Sequence, residues 1–153
     1  MHEHPDHHDA ELLLRLYELR REDRLRRARE WFIQEFQAEP ADKFFQRYPL
    51  GSGENTSFRM ALSYWDMAAS LAKHGLIHED LFFENNREFW VVWRKVKPVV
   101  MFIRERNKDP QMWKSLEDVA QKYEKWVEKR APGALAVAVE RLHALWAKKD
   151  SDE

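Results

Sequence analysis

The chain has 153 residues, of which 44% are apolar and 35% charged, with 26 basic against 27 acidic residues and a formal net charge of −1. That length and composition suit one globular domain, and the balanced charge supplies no overall field to attract nucleic acid or an anionic membrane. There is no cysteine, which excludes disulfides, thiolate metal sites and cysteine nucleophiles and points to a reducing cytoplasm.

The N-terminus, "MHEHPDHHDAE", has neither a basic nor an apolar region and does not read as a signal peptide. Residues 1–8 are expected to be a disordered, His-rich segment. Its His2, His4, His7 and His8, interspersed with carboxylates, are weak candidates for Zn²⁺, Ni²⁺ or Cu²⁺ binding, because imidazole suits all three. Beyond it, apolar residues recur at helical spacing almost everywhere. Leu12, Leu13, Leu16 and Tyr17 mark a first helix ending near Arg21 to Asp23. Leu25, Ala28, Phe32 and Phe36 mark a second, running to about Ala38 before Pro40. With no Gly or Pro in "RREDRL", the two could equally be one bent helix.

A short helical turn around Phe44 and Phe45 leads into the loop "YPLGSGEN", and the next helix is expected to start between Asn55 and Ser57. It presents Phe58, Ala61, Leu62, Trp65, Ala68, Ala69 and Ala72 on one face.

In "SLAKHGLIHEDLFF", Ser70 to Phe83, two histidines and two carboxylates suggest a metal or acid–base site. Gly75 instead reads as the left-handed residue that ends a helix, with His74 as its C-cap and Leu71 expected against Leu76. His78 then falls at the next N-cap between Ile77 and Phe82, which have the spacing of a hydrophobic staple. Glu79 and Asp80 occupy the first turn, where the helix dipole favours carboxylates. Two histidines on one face need a continuous helix, which Gly75 interrupts.

Asn85 and Glu88 are spaced as a capping box, and Phe89 to Ile103 keep helical period through Pro98, where a kink is expected. "DPQMW" predicts another start, with Asp109 as cap and Pro110 as first helical residue. "RAPG" separates that helix from a last one through Leu135, Val139, Leu142 and Trp146.

The segment "SYWDMAASLAKHGLIHEDLFFENNREFWVVWRKVKPVVMFIRER" resembles a family of uncharacterised bacterial all-helical proteins, a domain of unknown function. The resemblance is strongest over Ser57–Asn107 and weaker around "AELLLRLYELRR" and "REWFIQEF". It is carried by an aromatic helix, "GLI" followed by acidic residues and Leu-Phe, then an aromatic-rich helix with "KP". It implies an all-α fold and brings no catalytic residues. Many members of the family it resembles have Asp where this chain has His78, which fits an N-cap.

The expected architecture is therefore an all-α, single-domain antiparallel bundle of six to seven helices over residues 9–148, with 149–153 frayed. No phosphate loop is present, since "LGSGEN" lacks the following Lys. A lone Glu-x-x-His, Glu140 and His143, has no second copy to build a di-iron site. The functional expectation is a non-enzymatic cytoplasmic protein without cofactor, acting through contact with a protein partner or a second copy of itself. Arg20, Arg24 and Arg27, in helices where acidic residues are interleaved, are its candidate contact residues. The alternative is a small-ligand or metal sensor with a pocket among Trp65, Trp90, Trp93 and Trp113.

Overall fold

The structure, a computed structural model, describes residues 3–151, with side chains through Ala147. Among the described residues it is all-helical: eight α-helices, one short 3₁₀ turn and no strand. In order these are α1 (His7–Arg21), α2 (Asp23–Gln34), the 3₁₀ turn Ala41–Lys43, α3 (Phe44–Arg47), α4 (Gly53–Lys73), α5 (Glu79–Asn85), α6 (Glu88–Asn107), α7 (Lys114–Arg130) and α8 (Ala134–Ser151). The count exceeds the expected six or seven once α3, the short turn expected around Phe44 and Phe45, is included. No helix among the described residues is long and apolar enough to cross a membrane.

Two compact units divide the chain, one ending at Ala120 and the other starting at Gln121. The division falls within α7, inside the 9–148 segment expected as one domain. The second unit comprises the rest of α7 and α8, joined at Gly133, whose φ of 89° suits glycine. Its expected 149–153 fray lies beyond the described side chains.

In the first unit α2 packs most extensively on α4, and α6 also packs on α4. Phe32, Phe36, Phe44 and Phe58 meet there at ring separations of 4.7–6.3 Å, and each is at most 3% exposed. Burying a side chain of that size stabilises by about 1.5–3 kcal/mol. Ring-edge geometry adds to this. Phe82, Phe83 and Phe89 form a second aromatic contact between α5 and α6.

Several boundaries move for identifiable reasons. α1 starts at His7, inside the segment expected to be disordered. Asp6 accepts the N–H groups of His8 and Asp9, while Asp9 accepts that of Asp6, a complete capping box. α1 and α2 are separate helices, because Glu22 has ψ 138° and ends one while its carboxylate accepts the Leu25 N–H and starts the other. α4 starts at Gly53 rather than at Asn55 to Ser57, since Ser52 Oγ is the cap, 3.1 Å from the Asn55 N. Asn55 is instead buried, donating to the Tyr48 carbonyl at 2.9 Å and accepting from Arg59.

The expected Asn85–Glu88 capping box does not form. Asn85 donates to the Leu81 carbonyl, Arg87 stands at the N-cap without a side-chain bond, and Glu88 is engaged elsewhere. α6 continues through Pro98. Asp109 and Pro110 do not open α7 either. Lys108 ends α6 in the left-handed region at φ 53°, the Asp109 carboxylate accepts the Gln111 N–H, and α7 begins only at Lys114. Its cap comes from a different helix: Asp66 of α4 accepts the Leu116 N–H at 3.0 Å.

Candidate interaction surface and the network behind it

The α4–α5 junction has the backbone of a helix stop followed by a helix start. Gly75 has φ 72°, the Leu76 N–H donates to the Leu71 carbonyl at 2.9 Å, and the Gly75 N–H to Ala72 at 3.1 Å. Those two bonds define a Schellman motif. Leu76 itself is 59% exposed, so the residue that carries the chain back into the core is Ile77, at 1%. His78 stands at the N-cap of α5 without a side-chain cap bond, and its ring Nε2 lies 3.2 Å from the Glu3 carbonyl.

The His78 backbone N–H has the more informative partner. It donates at 2.7 Å to the carboxylate of Asp9, which is wholly buried. One carboxylate thus closes the α1 capping box and holds the start of α5, 69 residues away. The sequence signal was present, because Asp9 lies seven residues before buried Leu16 and so shares its helical face.

Behind α1 and α2 lies a polar cluster that joins four helices. Arg29 grips Glu88 with two bonds, Nε at 2.7 Å and Nη2 at 3.0 Å, and a third bond from Nη1 reaches the Arg20 carbonyl. Such bidentate pairing is strong and directional. Glu88 also accepts the Trp65 indole N–H at 2.9 Å. Arg20 donates to Asn86 Oδ1 at 2.9 Å, and its guanidinium covers the rings of Tyr17 and Trp65. The Tyr64 hydroxyl donates to the Leu16 carbonyl at 2.7 Å, and burial pushes its pKa up.

Two further buried charges act on helix ends. Lys95, on the buried side of α6, donates to the carbonyls of Phe32 and Ile33 at 2.9 and 3.1 Å, neutralising the negative end of α2. Near the start of α7, Arg104 donates to the Met112 carbonyl and to Glu117. Asp118 pairs with Lys114 and Lys73, and the bond from Lys114 is the main cause that lowers its pKa. Asp66 beside them is pushed up by burial, against the lowering effect of the Leu116 N–H.

The three arginines expected to meet a partner therefore separate. Arg20 is drawn into the polar cluster, whereas Arg24 and Arg27 lie exposed on α2. His4, His7 and His8 are exposed and His2 lies outside the described residues. Among the described residues no three His, Cys, Asp or Glu side chains are grouped to hold a metal ion. Trp65, Trp90 and Trp93 are at most 3% exposed, while Trp113 sits half-buried just before α7 at φ 55°, rare for a bulky residue.

Several large apolar side chains are exposed, and three of them lie on α1. Leu14 is 61% exposed, Tyr17 46% and Leu19 43%, and Leu14 also lines a shallow groove between His8 and Glu18. A family model described as "Domain of unknown function (DUF4760)" matches residues 5–126. The chain belongs to the DUF4760 family. The match takes in α1 to α6 and most of α7, so the buried Asp9, the Arg29–Glu88 pair and the α1 surface all belong to the DUF4760 domain, whereas α8 lies beyond it. No curated protein and no solved structure matches the chain.

Proposed function

We propose that this protein is non-enzymatic and acts through protein–protein contact made by the outer surface of α1 and the adjoining exposed arginines of α2. The observation that carries this reading is the exposure of Leu14 and Tyr17, three residues apart on one helix, with the Arg20 and Arg21 guanidinium groups 5.2 and 5.3 Å from the Tyr17 ring centre. Tyrosine and arginine are enriched at interface hot spots, tyrosine because it buries a large area with two side-chain torsions and arginine because its planar guanidinium both stacks and donates several hydrogen bonds. The inward-facing polar groups Asp9, Arg29, Glu88 and Lys95 hold helices together, which supports a structural rather than a catalytic role for them. The tight burial of Trp65, Trp90 and Trp93 likewise supports core packing over a ligand pocket.

In this reading the helices of the first unit form an antiparallel bundle that presents α1 as a recognition surface in the cytoplasm, without a cofactor, nucleic acid or membrane. Affinity capture with the intact protein, compared with Leu14→Asp and Tyr17→Ala, tests it. Both side chains are solvent-facing, so the variants should fold normally by circular dichroism and lose the captured partner. Equal capture by wild type and both variants would defeat the proposal.

A further inference from the structure

The groove on α1 is lined by His8, Glu11, Leu12, Leu14, Arg15 and Glu18. Their order is symmetric about Leu13: leucines stand one residue to either side, Glu11 and Arg15 two residues away, His8 and Glu18 five. Helical rotation puts Glu11 and Arg15 near the middle of one face, flanked on opposite sides by Leu12 and Leu14. His8, Glu11, Arg15 and Glu18 are all exposed, and Glu11, Arg15 and Glu18 form no ion pair within the described residues.

An isologous two-fold contact brings the same patch of both subunits together, so a residue near the midline of the seam meets the one at the mirrored position and a residue at its edge meets its own copy. Laid antiparallel across an axis at Leu13, two copies of α1 set Glu11 against the partner's Arg15 and Arg15 against the partner's Glu11. His8 and Glu18 meet their opposites one turn further out, over a total span of about 15 Å. Leu12 and Leu14 close the two sides of the seam against their own counterparts. A parallel arrangement would instead oppose like charges. We propose that this face of α1 is a homodimer contact, taking a second copy of the chain in antiparallel register through reciprocal Glu11–Arg15 pairs. The proposal rests on the protein-contact reading above and names its partner. A seam with charges at its centre and leucines at its edges makes a salt-sensitive, reversible association, since exposed charge pairs steer and select more than they bind.

The test is sedimentation velocity on the full chain over a wide concentration range, for wild type, Glu11→Arg, Arg15→Glu and the double variant E11R/R15E. Wild type should show a concentration-dependent monomer–dimer equilibrium that weakens with salt. Each single variant opposes like charges and should weaken the dimer about tenfold or more. The double variant should recover it, and an equimolar mixture of the two single variants should form a heterodimer more readily than either associates alone. Circular dichroism on these surface variants confirms that the fold is intact. A wild type that stays monomeric, or single variants that associate as well as wild type, overturns the inference. If wild type is monomeric while Leu14→Asp still loses a captured protein, the second-copy inference falls and the protein-contact reading stands.

Discussion

Asp9 shows what a buried carboxylate needs. With no exposure to water, it must be fully bonded, and the structure gives it the N–H groups of Asp6 and His78. Asp9→Ala leaves two donors without that acceptor and should destabilise the protein by about 2–3 kcal/mol. Urea unfolding measures the loss. A change below half a kilocalorie would mean that water replaces the carboxylate there. Glu88 and Lys95 follow the same rule: one takes three donors from two helices, the other gives its ammonium to two orphan carbonyls. None of these roles is legible from local spacing. Asp9 reads as part of a polar terminus, Glu88 as half of a capping box and Lys95 as a charge inside an apolar segment. What could be read was only the conflict in each, a charged residue on a buried stripe.

At the level of elements, local rules hold where the necessary groups lie within one turn of each other. The stop at Gly75 was legible because its two bonds run over three and five residues, whereas the start at His78, placed by local spacing, is held by the distant Asp9. Gly75 has φ 72°, so Gly75→Ala should cost about 1 kcal/mol or more, read as a lowered midpoint of thermal unfolding. An unchanged midpoint would contradict the Schellman assignment. The starts of α4 and α7 moved because the caps chosen were not the nearest good ones. Ser52 lies just upstream of the expected window, and α7 borrows Asp66 from α4 after a Trp in the left-handed region. A borrowed cap has no sequence signature, since nothing near Leu116 announces that a carboxylate fifty residues away will face it.

For the whole molecule, the first unit has its own aromatic core and polar cluster, all from residues up to Ala120. A fragment of residues 1–130, which ends with α7 and lacks α8, should therefore unfold cooperatively with a helical circular dichroism spectrum. A non-cooperative melt would show that the first unit needs α8 to fold. The sequence alone determined that the chain is helical, roughly where its helices stop, and that it resembles a family of unknown function. These follow from periodicity and from backbone bonds spanning a single turn, which are local by nature. Tertiary structure alone decided that Arg20 turns inward while Arg24 and Arg27 stay out, that α1 keeps Leu14 and Tyr17 in water, and that Asp9, Arg29, Lys95 and Asp66 find partners 50–69 residues distant. A charged side chain takes whichever complementary group packing brings within 3 Å of it, and packing is set by all the helices together.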